Sequence, residues 1–154
     1  MTTTGKTVEN VLFITADQWR GECLSAQGHA IVKTPHLDAL AAMGTLFRHH
    51  YSQSTPCGPA RASLYTGLYQ HNHRTVTNGT PLDDRHANVA LEARKGGHDP
   101  ALFGYTDIAA DPRSRDPDDP ELRTRAGLLP GLTPVVRMDA NHQAWKNALR
   151  QRGY

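Results

Sequence analysis

This chain has few cysteines and little net charge. Its 154 residues contain two cysteines, Cys23 and Cys57. Two cysteines close at most one disulfide, which excludes a disulfide framework, and we expect both thiols to be reduced. Lysine and arginine total 17 against 15 aspartates and glutamates, with the two signs interleaved. This balance excludes the basic footprint of a nucleic-acid-binding protein, so we predict no nucleic-acid partner.

Long hydrophobic runs are also lacking. The apolar run at residues 11–14 is short, and neither a basic region nor a small-residue cleavage site precedes it. This pattern predicts no secretion signal and no membrane span, so we expect a cytoplasmic protein without a membrane partner. The length and the hydrophobic content of 38% suit one domain with a proper core.

The hydrophobic pattern of the chain predicts alternating strands and helices. Strands are expected at residues 8–15, 45–51 and 100–105, and helices at 35–43, 87–95 and 139–152. Thr34, Pro35 and Gly44 provide the start and stop signals of the first helix, and Asp139 is the expected cap of the last. The alternation implies an α/β fold with a mostly parallel sheet flanked by helices. Residues 111–121 hold three prolines among mixed charges, which predicts an exposed Pro/Asp-rich loop.

A proline-rich turn around Cys57 combines a reactive side chain with a predicted helix start. Pro56 and Pro59 fix φ on either side of the cysteine, Gly58 allows a close approach, and a helix can begin after Pro59. The unpaired amides of a helix start favour negative charge. An oxyanion bound there would meet N–H groups and the cation of Arg61. The alternative interpretation is a small buried cysteine in a turn.

Three further polar residues are site candidates. Asp17 follows the first predicted strand and Tyr105 ends the third, and ligands of open α/β sheets sit beyond the carboxyl ends of the strands. The Asp17 carboxylate is therefore a candidate ligand for a divalent cation, with a cap or loop aspartate as the alternative. The Asn78 amide can donate to an oxygen bound to sulfur or phosphorus, with a turn asparagine before Gly79 as the alternative.

Residues 57–61, Cys-Gly-Pro-Ala-Arg, followed by Thr66 and Gly67, resemble the C-x-P-x-R signature of the sulfatase family in the alkaline phosphatase superfamily. Residues 17–20, Asp-Gln-Trp-Arg, are similar to the phosphonate monoester hydrolase branch of that family. The resemblance implies an alkaline-phosphatase-like fold. It also implies that a formylglycine-generating enzyme oxidises Cys57 to formylglycine, whose hydrated aldehyde is the nucleophile.

The resemblance also implies roles for individual residues. Residue 57 and Arg61 would be catalytic, Asp17 and residue 57 would bind a divalent ion (Ca²⁺, Mn²⁺ or Mg²⁺), and Gln18, Asn78 and Tyr105 would contact a small anionic ester. Asp107 stands where the branch would place a substrate-facing threonine. Its carboxylate would repel an anionic substrate unless it binds metal or points away.

The histidines indicate a metal-binding role less clearly than Asp17 does. His49 and His50 are adjacent and would face opposite sides of a strand, which predicts packing or surface roles. His71 and His73 could share a face, a spacing closer to that of metal ligands. The resemblance places them after the nucleophile helix, where histidines are not established ligands. We expect them to contact ligands of the metal rather than the metal itself.

The implied function is metal-dependent hydrolysis of sulfate esters or of phosphonate and phosphate mono- and diesters. Residues 1–154 would be the amino-terminal part of the catalytic domain, before segments that bring an Asp-His pair, a lysine and a further histidine to the site. We therefore expect impaired activity in the isolated chain. The alternative is a non-catalytic remnant that keeps anion or metal binding. A homo-oligomer is compatible with the sequence.

Overall fold

The computed structural model describes residues 10–124, 127–138 and 141–154. The chain divides into two compact units, the first ending at His50 and the second beginning at Tyr51. In the described residues, the α-helices are α1 (Pro35–Met43), α2 (Cys57–Thr66), α3 (Gln70–His73), α4 (Val89–Lys95) and α5 (Gln143–Arg150), the strands are β1 (Ala101–Gly104) and β2 (Thr133–Arg137), and 3-10 turns cover Ser25–Gln27, Pro112–Ser114 and Pro120–Arg123. Within this part of the chain, no helix combines the length and apolar character that crossing a membrane requires.

Helix α1 of the first unit begins and ends where the sequence predicts. Pro35 is its first residue, Thr34 precedes it and Gly44 follows it. The Thr34 hydroxyl does not cap the helix amides as expected. It donates to Asp38 Oδ1 at 3.0 Å and accepts the backbone N–H of Ser25 at 3.0 Å. These bonds fix the start of α1 to the 3-10 turn that precedes it.

Two of the three predicted strands do not form in the described residues. Residues 10–16 and 45–51 have no strand conformation, and residues 8 and 9 lie outside the described ranges. The apolar side chains of Val11 and Ile14 are 78% and 73% exposed. A strand requires a neighbour to pair its N–H and C=O groups, and the described sheet contains only β1 and β2. The strand predictions are therefore wrong at residues 10–15 and 45–51.

The predicted strand at 100–105 forms as β1. It pairs in parallel with β2, with Ala101 opposite Thr133 and Gly104 opposite Arg137, and the register shifts after Leu102. Strand β2 contains Pro134, which has no N–H to donate to a ladder. The parallel pair and its flanking helices confirm the predicted α/β class.

A small apolar core lies in the second unit. Its buried members come from α2, α4 and the loops beside them, and they are Ala62, Tyr65, Leu82, Ala90, Ile108 and Leu129. Leu132, just before β2, packs against this cluster. Burial of these side chains is the main favourable contribution to folding. Because Ala62 and Tyr65 lie on α2, the same core fixes the helix that carries Cys57.

The amide side chain of Asn88 joins α4 to the loop before β2. Its Oδ1 accepts from the N–H groups of Ala90 and Leu91 at 2.9 and 3.0 Å. Its Nδ2 donates to the carbonyl of Pro130 at 3.1 Å. Asn88 is 4% exposed, so these three bonds replace the water that burial excludes. The side chain is therefore both a helix cap and a tertiary contact.

Segment 111–121 contains one 3-10 turn and the start of another, and most of its residues are exposed. Asp111 is buried, at 2% exposure, and its carboxylate accepts from Arg113 Nε at 2.8 Å and Arg113 Nη2 at 2.7 Å. This bidentate pair holds the pKa of Asp111 well below its usual range. The backbone N–H of Asp84 also donates to Asp111, at 3.1 Å. The segment is therefore joined to the loop before α4.

Helix α5 begins at Gln143, later than the predicted start at residue 139. The predicted cap, Asp139, lies outside the described residues. His142 precedes the helix in a left-handed conformation with φ of 55° and makes no side-chain capping bond. The sequence therefore predicts the helix but not its first turn.

Replacement of Asn88 by alanine should lower the free energy of unfolding by about 1–2 kcal/mol, because the helix cap is lost and buried backbone groups lose their partner. Urea unfolding followed by circular dichroism measures this change. Asn72→Ala is the matched control, since Asn72 is exposed. Equal destabilisation by the two substitutions would contradict the role of Asn88.

Candidate active site

Cys57 is the first residue of α2. The helix therefore starts three residues earlier than the predicted start after Pro59. Pro59 falls within the first turn, where a missing N–H removes no intrahelical hydrogen bond. The Cys57 thiol is free and half-buried, as is that of Cys23. The predicted helix start at the reactive side chain is thus present, with the cysteine on the helix itself.

The backbone around Cys57 is held by Asn78. The N–H of Gly58 donates to Asn78 Oδ1 at 2.8 Å. A Cβ on Gly58 would lie 3.1 Å from that Oδ1, 3.4 Å from Asn78 Cα and 3.5 Å from the carbonyl oxygen of Asp107. The 3.1 Å distance to the Asn78 oxygen is tighter than an ordinary contact, so a Cβ at residue 58 would crowd this oxygen and glycine avoids that. The turn is enclosed by the segments of residues 78 and 107.

Arg61 lies one helical turn after Cys57 and is 7% exposed. Its Nη1 donates to Tyr65 Oη at 3.4 Å and its Nη2 to Tyr105 Oη at 3.5 Å. Both distances are long for hydrogen bonds. The guanidinium carbon also lies 4.7 Å from the centre of the Tyr105 ring, within the range of a cation–π contact. Two tyrosines therefore orient the predicted catalytic cation.

Tyr105 directly follows the last residue of β1, so the strand ends one residue before the predicted end at Tyr105. The next residue, Thr106, is 1% exposed, and its hydroxyl donates to the carbonyl of Gly127 at 2.7 Å and accepts from the N–H of Leu129 at 3.0 Å. These bonds fix the chain just after Tyr105. Asp107 then adopts a left-handed conformation, with φ of 54°, and is half-buried.

The second unit therefore brings together four of the predicted site residues. The turn at Cys57 contacts Asn78, and Arg61 on the same helix contacts Tyr105. Asp17 and Gln18 lie in an exposed turn of the first unit, where Gln18 has φ of 54°. Their predicted roles toward a metal and a substrate stay predictions.

A metal-ligand set is not assembled by the side chains that the structure describes. Across residues 10–124, 127–138 and 141–154, no group of three or more histidine, cysteine, aspartate or glutamate side chains is placed to hold a cation. Divalent cations such as Ca²⁺ and Mg²⁺ need six or more oxygen ligands in all. The described side chains therefore do not by themselves assemble three protein ligands for a cation.

Histidine 73 has a structural role that the sequence does not reveal. Its ring is 2% exposed, and Nδ1 accepts the backbone N–H of Thr75 at 3.1 Å. The other ring nitrogen, Nε2, lies 2.9 Å from Ser63 Oγ. Since Nδ1 accepts, Nε2 carries the proton and donates to the serine. Both nitrogens are engaged within the protein, so His73 joins α2 to α3.

The other histidine candidates lie at the surface. The ring of His71 stacks on Tyr69, with ring centres 5.8 Å apart and planes at 8°. His49 and His50 are exposed, in a segment without strand conformation. The expected surface or packing role of His49 and His50 is consistent with this exposure.

Comparison with known proteins gives one consistent result. The sulfatase family model matches residues 9–126. The multifunctional alkaline phosphatase superfamily protein PehA of Trinickia caryophylli is 42% identical over 153 residues, which cover 96% of this chain and 30% of that protein. The Ulvan-active sulfatase of Formosa agariphila is 38% identical over 98 residues, covering 64% of this chain and 19% of the relative.

Two solved structures are similar to this chain in fold as well as sequence. The phosphonate monoester hydrolase of Agrobacterium radiobacter is 57% identical with a TM-score of 0.84, covering 90% of this chain and 28% of its own. The phosphonate monoester hydrolase of Silicibacter pomeroyi is 48% identical with a TM-score of 0.85, covering 94% of this chain and 29% of its own. This chain therefore spans less than a third of the length of these relatives.

Stability should depend on pH through His73. Burial of the ring, and to a lesser extent the charge of His86, lowers the pKa of His73 below its ordinary value. Folding thus favours the neutral ring, and the resulting stability is complete above the unfolded pKa of about 6.5. It is lost as pH falls through the lower folded pKa.

We expect the free energy of unfolding to decrease between pH 7 and pH 5, and His73→Gln to flatten this slope. Urea unfolding at several pH values measures it. His71→Gln makes the same substitution on an exposed ring. An unchanged slope in His73→Gln, or an equal change in both variants, would show that His73 does not cause the pH dependence of stability.

Proposed function

Because the chain belongs to the sulfatase family, we propose that it carries the nucleophile of a hydrolase of sulfate esters or of phosphonate and phosphate mono- and diesters. The observation that supports this most directly is the position of Cys57 at the start of α2, with the buried cation of Arg61 one turn along the same helix. The positive end of a helix and a guanidinium both favour an anionic group at this turn. The family signature at residues 57–61 supplies the reactive residue.

We propose that Cys57 is matured to formylglycine by a formylglycine-generating enzyme. Formylglycine supplies a hydrated aldehyde, one hydroxyl of which attacks sulfur or phosphorus while the other permits later release of the anion. The residues of this chain orient that group. Asn78 fixes the Gly58 amide next to it, and the contacts of Arg61 with Tyr65 and Tyr105 hold the cation in place.

Substrate contact is proposed for Asn78, Tyr105 and Gln18. Since Asn78 Oδ1 accepts from Gly58, the NH₂ group of Asn78 is the part that would donate to an oxygen of the anion. The similarity of this chain to two phosphonate monoester hydrolases, at 57% and 48% identity, supports a phosphonate monoester rather than an aryl sulfate as its substrate. Asp107, whose backbone carbonyl oxygen lies beside the turn, is expected to oppose substrates of higher negative charge if its carboxylate faces them.

We also propose that activity depends on a divalent cation, because the chain belongs to the sulfatase family. Asp17 and residue 57 are the proposed ligands from this chain, and the cation is Ca²⁺, Mn²⁺ or Mg²⁺. A homo-oligomer and a cytoplasmic location stay predictions of the sequence.

Peptide mapping by mass spectrometry after co-expression with a formylglycine-generating enzyme tests the proposal. The peptide that contains Cys57 should show the mass loss of conversion from a thiol to an aldehyde. Cys23 is an internal control, because residues 24–27 lack the proline and arginine of the signature. An unmodified Cys57, under conditions that convert a known sulfatase, would contradict the proposal. That result would favour the alternative, a non-catalytic remnant that binds anions or metals.

Turnover distinguishes the reaction class. Any hydrolysis by the matured chain should be weak, should be faster with a phenyl phosphonate monoester than with an aryl sulfate, and should be lost in Cys57→Ala. Addition and chelation of divalent cations show whether a metal is needed. Preference for the sulfate ester would contradict assignment to the phosphonate branch.

A further inference from the structure

A polar cavity of about 210 Å³ lies in the second unit. Three of the six residues that line it are arginines, and the six are His73, Arg74, Pro81, Asp83, Arg85 and Arg113. Among the residues that the structure describes, this lining contains neither Cys57 nor any other residue proposed for the ester reaction. The proposed function therefore leaves these arginines without a role.

Arg113 is held in one orientation at the wall. Its Nε and Nη2 donate to the carboxylate of Asp111 at 2.8 and 2.7 Å, and Asp111 is buried, at 2% exposure. Nη2 also lies 3.0 Å from Asp83 Oδ2. A planar guanidinium that is bound along one edge keeps its remaining N–H groups in a defined direction. Arg113 is therefore preorganised before any ligand arrives.

Arg85 is placed by the same carboxylate. Its Nε lies 3.1 Å from Asp83 Oδ2, and its backbone N–H donates to Asp83 Oδ1 at 3.0 Å. Asp83 Oδ2 therefore pairs with both Arg85 and Arg113, two cations that would otherwise repel each other. The side chains of these arginines are 65% and 66% exposed, so a dissolved ion can reach them.

Arg74 is the third cation of the wall and occupies an unusual backbone position. It follows α3 with φ of 58°, a left-handed conformation in which glycine is the usual residue because a side chain strains the backbone. In the part of the chain that the structure describes, its guanidinium makes no ion pair. The ending of the helix does not explain an arginine here, whereas a ligand in the cavity would.

Positive charge exceeds negative charge at this wall. The three arginines are opposed by Asp83 in the lining and by Asp111, which pairs with one of them. Asp84 does not line the cavity, and its carboxylate accepts a hydrogen bond from Ser114 Oγ. One positive charge, that of Arg74, is therefore left for a ligand to compensate.

Guanidinium N–H groups are the hydrogen-bond donors that the wall offers. Both ring nitrogens of His73 are bonded within the protein, and Pro81 has no N–H. Paired N–H groups of arginine match the oxygens of phosphate and sulfate. Because a tetrahedral oxyanion presents oxygens in several directions, it can accept from more than one arginine at once. The wall therefore suits a small oxyanion better than an apolar group or a cation.

We propose that this cavity binds a small tetrahedral dianion, phosphate or sulfate, and that Arg74 supplies the charge that the protein leaves uncompensated. Arg85 and Arg113 supply oriented N–H donors beside it. The site goes beyond the proposed function, because it uses neither Cys57 nor turnover.

Titration of the full chain with sodium phosphate, followed by NMR, tests the proposal. Ionic strength is held constant with sodium chloride, so that general screening does not change. The side-chain Nε–H signals of Arg74, Arg85 and Arg113 should shift with one common midpoint. Sulfate should shift the same signals. Acetate, which is planar and carries a single charge, should require a higher concentration.

Two substitutions of Arg74 separate binding from folding. Arg74→Gln should raise the midpoint for phosphate by about fivefold, the factor that corresponds to one exposed ion pair. Arg74→Gly should weaken binding as much without lowering the urea midpoint of unfolding, since glycine suits the left-handed backbone. Arg150→Gln removes the same charge from an exposed position of α5 and should leave the phosphate midpoint unchanged.

Equal phosphate midpoints in the wild type and Arg74→Gln would overturn the site, as would equal increases in Arg74→Gln and Arg150→Gln. A midpoint for acetate equal to that for phosphate would overturn the assignment to a dianion. The Gly58 amide reports separately on the turn at Cys57. A phosphate-induced shift of Gly58 without shifts of the arginine signals would overturn this site and leave the proposed function intact.

Discussion

The hydrogen bond from the Gly58 N–H to Asn78 Oδ1, at 2.8 Å, is the contact on which the candidate site depends. A single bond of this kind contributes only about 1 kcal/mol to stability. Its importance lies in position, because it joins the residue after Cys57 to a segment 20 residues further along the chain. Glycine permits the contact, since a Cβ would lie within 3.1 Å of the accepting oxygen. The turn therefore has a defined conformation and a defined neighbour.

Buried polar bonds extend this constraint to the surrounding elements. His73 holds α2 to α3 through Ser63, and Thr106 holds the loop after β1 to the backbone of Gly127 and Leu129. Each bond pairs polar groups that would cost free energy if they were buried without a partner. Arrangements of the chain that break these bonds are therefore disfavoured. Arg61, on α2, is consequently placed against Tyr105, which follows β1. The candidate site is a product of tertiary contacts more than of local sequence.

The sequence predicts the features that depend on short-range rules. Helix α1 follows from the Thr-Pro start and the glycine stop, β1 from its apolar run, and the reactive turn from the proline spacing around Cys57. Asn88 carries a signal that could have been used, an asparagine directly before an apolar helical run. The family follows from the signature at residues 57–61, and the family model that matches residues 9–126 confirms it.

Features that depend on distant partners could not be predicted in this way. Residues 10–15 have strand-like composition but no strand neighbour among the described residues, and no strand is predicted at β2, where Pro134 interrupts the apolar pattern. The acceptor role of Asn78 depends on Gly58, and the role of His73 depends on Ser63. The proposed metal roles of Asp17 and residue 57 remain predictions.

Hydrogen exchange at the Gly58 amide measures the central contact directly. In the wild-type chain this amide should exchange slowly, and Asn78→Ala should accelerate its exchange by about tenfold, the factor that corresponds to about 1.4 kcal/mol. Asn78→Asp keeps an accepting oxygen and should preserve the protection. The Ala60 amide, which donates to the Pro56 carbonyl at 3.0 Å, serves as the internal control and should change little. Equal exchange of Gly58 in the wild type and Asn78→Ala would show that this bond does not hold the turn.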